Sequence, residues 1–276
     1  MRLKDGRVIR FPAVMGVLNI TPDSFSDGGR FLDPDRAVDH ALAMEAAGAT
    51  IIDIGGESTR PGASPVSVEE ELDRVLPVIE ALDGRLKSPI SIDTRKAVVA
   101  CAALDEGAAI VNDVSGLTFD PAMAQAVANA GAALIVMHMR GAPATMNRFA
   151  RYRDVVAEVR AFLELQTGLA LSAGVRRSRI IIDPGLGFAK NAGHNLELMG
   201  GLSELGALGY PILVGASRKR FVRAIAGGSE NDLSFGSAAV NALAIAAGAS
   251  IIRVHDPGPA VAVVKMAVAI AQYMRA

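Results

Sequence analysis

Eight short apolar runs, each ending at or near a polar residue, constrain this chain most. They cover 13–20, 50–54, 90–93, 109–113, 133–138, 179–183, 211–215 and 250–255. Most are rich in Val and Ile and apolar almost without a break, as parallel strands buried on both faces are. Helical stretches lie between them, near 35–47, 67–82, 95–106, 121–130, 152–173, 193–208, 233–247 and 258–274. Eight strands alternating with eight helices over about 250 residues is the pattern of a (β/α)8 TIM barrel. The α/β chain is therefore expected to form one barrel domain over 1–276. An open doubly wound sheet is the alternative, disfavoured because no run looks like an edge strand.

A weak internal repeat supports the barrel. Gly48, Gly107, Gly131 and Gly248 each follow a helical run, precede Ala and open a strand. A glycine there can take the left-handed conformation that ends a helix. Five residues after three of them come Asp53, Asn112 and Arg253; seven after two come His138 and His255. Offsets of five and seven share a strand face, so equivalent strand ends are expected to carry polar groups. The segment 222–232 and the residues before Phe11 carry no clear signal.

Composition narrows the setting. A net charge of −1 gives no footprint of a general nucleic-acid binder. No long uncharged apolar run suggests a membrane span, and MRLKDGRVIR lacks the apolar core of a signal peptide. The one cysteine, Cys101, suits a reducing cytoplasm and is expected to be a buried thiol.

In a barrel the C-terminal strand ends converge on one mouth. Here they carry Asn19, Asp53, Asp93, Asn112 with Asp113, His138, Asp183, Ser217-Arg218-Lys219, and Arg253 with His255. Capping would explain Asp113 or Asp120, and His138 is equally readable as a satisfied core histidine. Asp183 follows Ile180–Ile182 and is costly there unless paired. A ligand offering two parallel N–H groups, such as an aminopyrimidinone edge, would satisfy it, and so would an internal salt bridge. Asp93 and Asn112 are placed to read other edges of such a ring. The cations after strands seven and eight suit a phosphate, with a helix expected to start near Ser217 and add N–H donors. Arg220 and Arg223 read better as solvated surface. Two polar loops, 21–29 and 57–63, overhang the mouth as a lid pair. No P-loop, dinucleotide fingerprint or Cys/His cluster occurs. A lone Asn can still hold Mg2+ if substrate phosphates supply the other ligands.

Taken together, MGVLNITPDSFSDGG (15–29), IIDIGGESTRPGA (51–63), SIDTRK (91–96), VNDVSG (111–116), MHMRG (137–141), DPGLGFAK (183–190), GASRKRF (215–221) and RVHDP (253–257) resemble the dihydropteroate synthase family of folate biosynthesis. They run in order from strand one to strand eight. The resemblance implies a transferase that joins 6-hydroxymethyl-7,8-dihydropterin diphosphate to p-aminobenzoate, releasing diphosphate. It implies that Asp93, Asn112, Asp183 and Lys219 hold the pterin, with Phe188, Met137 and Gly215 lining its pocket. Asn19 would ligate Mg2+, and Arg253, His255 and Thr59 would bind the diphosphate. Phe25, Arg60, Pro61 and Ser217 would form the p-aminobenzoate site, which sulfonamides occupy in this family. Asp27 would face the developing positive charge; Lys219, Asp27, Arg253 and His255 would be the catalytic set. A cytoplasmic homodimer is also implied, with the apolar last helix as a candidate interface. Such chemistry needs no protein nucleophile, which fits the lack of any Ser-His-Asp or Cys-His arrangement. A corrinoid-dependent pterin methyltransferase domain would lack the SRK and RVH groups and the long first loop. A non-catalytic paralogue would have lost Asn19, Lys219 or His255.

Overall fold

Burial of the strands on both faces dictates the architecture. The computed structural model describes residues 1–21, 34–59 and 62–274. Eight strands form one parallel sheet: β1 (Ala13–Asn19), β2 (Ile51–Gly55), β3 (Ile90–Asp93), β4 (Ile110–Asp113), β5 (Ala133–Met137), β6 (Ile180–Asp183), β7 (Leu213–Val214) and β8 (Ile251–Val254). Their order runs β6-β5-β4-β3-β2-β1-β8-β7. An isolated parallel bridge, Ile182 to Ile212, joins the two ends and closes the sheet. The fold is thus the expected TIM barrel, with β7 shorter than the sequence suggests.

The helices wrap the outside: α1 (Pro34–Ala46), α2 (Val68–Leu82), α3 (Ala97–Asp105), α4 (Met123–Ala130), α5 (Val155–Ser172), α6 (Ala192–Gly200), α7 (Leu202–Gly206), α8 (Arg220–Ala226), α9 (Glu230–Ala246) and α10 (Pro257–Met274). Capping side chains set several of their starts, through orphan N–H groups of the first turn. Ser67 accepts from Glu70 N ahead of α2, Asp154 from Ala157 N ahead of α5, and Ser229 and Asp232 form a capping box at α9. Asp154 therefore starts α5 three residues later than the apolar pattern implies. The helix expected over 193–208 is two, meeting at Gly200-Gly201. The segment without clear signal, 222–232, holds most of α8 and the first residues of α9. The four repeat glycines all have positive φ, from 61° at Gly131 to 109° at Gly107, as the αβ turns require.

Alternate residues divide two cores. Val14, Ile52, Val111, Leu134, Ile182 and Ile252 face the helices. Met15, Ile51, Ile110, Ile135, Ile181, Leu213 and Ile251 fill the barrel. The N-terminal residues, silent in the sequence pattern, fold into a small hairpin through an Arg2–Val8 bridge. It presses Leu3 and Ile9 onto that inner core. Cys101 is exposed on α3, against the expected buried thiol. Among the described residues no helix is long and apolar enough to cross a membrane.

Candidate active site

The inner core ends partway up the barrel. Continuing its alternation, the next inward positions are Asp53, Ser91, Asp93, Asn112, Met137, Asp183 and Arg253, with Asn19 at the end of β1. Strand register sets their heights: Asp93 pairs with Gly55 and Asn112, Met137 with Asp183, and Asp53 with Ser91 one step lower. An apolar barrel thus carries a polar upper layer at its C-terminal end, where barrels present chemistry.

Asp183 is only 6% exposed. Its Oδ1 accepts from Gly185 N at 2.6 Å, and no cation lies within ion-pair distance of it among the described residues. An internal salt bridge therefore does not account for this buried carboxylate. Burial raises its pKa, opposed mainly by the Lys219 charge. Gly185 has φ +67°, and a Cβ there would meet the His138 carbonyl oxygen at 2.0 Å. Glycine is thus obligatory where β6 leaves the barrel. Nearby, the Oδ1 atoms of Asp93 and Asn112 are buried without a partner among the described residues. Unpaired buried acceptors of this kind point to a donor-bearing ligand.

Arg253 faces into this layer. Its Nε donates to Asp53 Oδ2 at 2.6 Å and its Nη2 to Asp93 Oδ2 at 2.7 Å. Burial works to lower its pKa, but the Asp53 and Asp93 carboxylates outweigh it and raise the value. Burial pushes Asp93 up to about 7, with Arg253 opposing and Asp53 adding to the rise.

Lys219 reaches from the loop after β7. Its Nζ donates to Leu186 O and lies 4.8 Å from the centre of the Phe188 ring. Burial lowers its pKa to about 8, against the pull of Asp183. Ser217 Oγ lies 3.1 Å from His255 Nδ1, joining the ends of the seventh and eighth units. The helix expected near Ser217 begins instead at Arg220, after a turn closed by Lys219 N to Ala216 O. Gly215 lies beside Arg253; a Cβ added to it would stand 3.6 Å from the Arg253 Cβ. Met137 joins Met139, Met146, Val114 and Ala189, with Phe188 against them, in a separate apolar cluster. Arg220 bonds Asn147 and Arg223 bonds Gly228 O on the surface, as expected.

His138, Asp113 and Asp120 take the structural reading that the sequence left open for each, while Glu57 departs from its reading as part of a lid. His138 does not face the mouth. The β5 register, Asn112 opposite Ile135, puts Met137 inward and turns His138 outward. There it stacks edge-on against Phe162, with ring centres 4.8 Å apart. Burial, Lys190 and Arg140 push its pKa down to about 2, so it is a neutral core histidine. Glu57, read as part of a lid, is buried; it pairs with Arg95 and with Lys96, each at 2.6 Å. Lys96 also pairs with the fully buried Glu71 of α2. Asp113 folds its own loop by accepting from Ser115 N and Leu117 N, and Asp120 caps α3 through Ala97 N.

Sequence reasoning gave no role to Lys190. Its buried Nζ contacts His138 Nδ1 at 2.9 Å, Gly185 O at 3.0 Å and Phe188 O at 2.9 Å. It ties the Asp183 loop to the end of β5. Its position in the DPGLGFAK stretch was the only signal available. Thr59 is half-buried in the loop after β2. Phe25, Asp27, Arg60 and Pro61 lie outside the described residues.

Comparison with known proteins places this arrangement. Residues 15–255 match the family of pterin binding enzymes. The chain is 52% identical over 250 residues to dihydropteroate synthase of Mycobacterium leprae, covering 88% of each. It is similar to the solved dihydropteroate synthase of Xanthomonas albilineans with 4-aminobenzoic acid, at 43% identity and a TM-score of 0.91 over 98% of this chain and 97% of that one. The same organism's enzyme in complex with 7,8-dihydropteroate gives 40% identity and 0.88 over 98% of both. Sequence likeness over nearly the whole barrel, with the strand-end polar layer intact, leads to one conclusion: the chain belongs to the dihydropteroate synthase family of pterin binding enzymes.

Proposed function

We propose that the polar layer of this barrel binds a 6-hydroxymethyl-7,8-dihydropterin diphosphate and guides its condensation with p-aminobenzoate. The chain is a transferase of folate biosynthesis, forming 7,8-dihydropteroate and releasing diphosphate. The observation that carries the site assignment is the set of buried acceptors facing one space. Asp183 accepts one backbone N–H, and among the described residues Asp93 and Asn112 each keep an unpartnered Oδ1. A pterin ring offers N–H groups along one edge and would satisfy them. Lys219 and Phe188 would close over the ring, with Met137 and Gly215 at its sides.

The reaction breaks the C–O bond to diphosphate and forms a C–N bond to the amine. No protein nucleophile is needed; the work is to stabilise separating charges. Arg253 and His255 would bind the departing diphosphate, with Thr59 beside them. Arg253 has five N–H bonds, two of them spent on Asp53 and Asp93, so others remain for phosphoryl oxygens. Asp183 and Asp93 would favour the positive charge that grows on the pterin. Ser217, held to His255, would join the p-aminobenzoate site to the anion site. Phe25, Arg60 and Pro61 are assigned to that site and Asp27 to the developing cation.

Among the described residues no group of three His, Cys, Asp or Glu could hold a metal alone. Asn19 offers a single hard amide oxygen at the barrel mouth. That donor set fits a Mg2+ coordinated mainly by diphosphate and water. When bound, Mg2+ would neutralise charge on the leaving group.

We also assign a homodimer to the chain, working in the cytoplasm. α9 and α10 expose Phe235, Leu243, Met266, Ile270 and Tyr273, a grouping that a second copy would cover.

The test is Arg253→Ala with two ligands. Affinity for the pterin diphosphate should fall several-fold more than affinity for the pterin alcohol. Equal losses would mean that Arg253 does not bind the diphosphate.

A further inference from the structure

Asp53 stands apart from the residues assigned above. It is completely buried, 0% exposed, at the lowest level of the polar layer. Its Oδ2 accepts from Arg253 Nε at 2.6 Å and from Asn112 Nδ2 at 3.0 Å. Among the described residues its Oδ1 has no partner. Among the described residues the carboxylate thus bonds two members of the proposed binding site and no backbone group. A buried ion pair is weak support for stability, since apolar residues of similar volume often serve as well. Fold stability alone therefore gives little reason for a carboxylate here.

We infer that Asp53 is a positioning residue that sets the hydrogen-bonding character of the site through Arg253 and Asn112 at once. The reasoning rests on the roles proposed above for those two residues. Asp53 Oδ2 already accepts from the Arg253 guanidinium, and the Asn112 atom that faces it is the amide nitrogen. That fixes the otherwise reversible amide and leaves Asn112 Oδ1 as the atom offered to a ligand. Asn112 thereby joins Asp93 and Asp183 as an acceptor, and the cradle selects a ring edge bearing N–H groups. On the other side, Asp53 holds Nε of Arg253 while Asp93 takes Nη2. Two anchors from different strands fix the plane of a guanidinium. Its remaining N–H bonds then meet the diphosphate without a cost in side-chain ordering. Strand β2 supplies the single oxygen that organises contacts from β4 and β8, residues 59 and 200 positions away.

The experiment is a pair of double-mutant cycles read by calorimetry. Asp53→Ala is made alone, with Asn112→Ala and with Arg253→Ala, and Asp53→Asn serves where the alanine variant does not fold. Ligands are the pterin alcohol and the pterin diphosphate. Alone, the Asp53→Ala change should weaken the alcohol about tenfold or more and the diphosphate further. In the Asn112→Ala background it should change alcohol affinity by no more than about twofold. With Arg253→Ala the extra loss specific to the diphosphate should vanish. The KM for p-aminobenzoate at saturating pterin diphosphate should stay within about twofold, which a general loosening of the barrel would not allow. An undiminished loss in both backgrounds, or no loss at all, overturns the positioning role. If Asn112→Ala and Arg253→Ala themselves bind both ligands normally, the site assignment fails instead.

Discussion

Lys190→Met should loosen the pterin site from behind. The substitution keeps most of the apolar stem and removes only the amine. In the native protein that amine donates to Gly185 O and Phe188 O and is hydrogen-bonded to His138 Nδ1. Gly185 O also accepts from Phe188 N at 3.1 Å and so keeps a partner. Phe188 O and the buried His138 nitrogen lose theirs. Each unsatisfied buried acceptor costs about 1–3 kcal/mol, so about 2–6 kcal/mol is lost. Burial holds the Lys190 pKa well below its usual value, so removing the amine also relieves a desolvation cost. The net expectation is a destabilisation of about 2–4 kcal/mol. At ~2–4 °C per kcal/mol for a domain of this size, the melting temperature should fall by about 5–15 °C. The variant should also bind the pterin alcohol more weakly, because the Gly185 N–H that orders Asp183 sits on the loosened loop. The assay is scanning calorimetry, followed by titration with the pterin alcohol well below the new transition. A melting temperature within about 1 °C of the native protein, with unchanged affinity, would refute the clamp.

Asp183→Asn keeps the shape but turns one acceptor into a donor; pterin affinity measured by calorimetry should fall by roughly 2–4 kcal/mol. Affinity for the pterin diphosphate should rise as pH passes about 7, where Asp93 loses its proton, and fall as pH passes about 8, where Lys219 loses its charge. In Lys219→Arg the upper limb should disappear below pH 10, since Arg keeps its charge there. The double variant Phe235→Glu with Leu243→Glu, on α9, should sediment as a monomer while its melting stays cooperative; an unchanged sedimentation coefficient would rule out that face as the interface.

Much of the fold was legible because a parallel barrel writes itself plainly: near-continuous Ile/Val runs, a glycine before several of them and a polar residue after. The details that escaped are those set by register or by distant partners. The repeat placed His138 at the height of His255, yet β5 is shifted by one residue in its pairing with β4. A slip of one residue exchanges the two faces of a strand, so His138 went to the helix side. Strand β7 reads as five residues but pairs as two, because Pro211 cannot donate an amide to the ladder. Its carbonyl instead accepts from Ile182 N at 3.0 Å. For the site, residue types and strand ends were readable, and the burial of Asp183 followed from its apolar neighbours. The pairing of Arg253 with Asp53 was not, since it joins residues 200 positions apart across β1. Nor was the anchoring of Glu57 by Arg95 and Lys96, because a charged loop residue reads as solvated until its partners are seen. The N-terminal hairpin offered only Leu3 and Ile9 as buried apolar residues, too few for any periodicity.

The most direct test combines purified protein, 6-hydroxymethyl-7,8-dihydropterin diphosphate, p-aminobenzoate and Mg2+, and follows dihydropteroate and diphosphate together. The account predicts that both appear in equal amounts, that either substrate alone gives neither, and that Asp183→Asn and Arg253→Ala slow both alike. Diphosphate release that does not require p-aminobenzoate, or full turnover by those two variants, would contradict it.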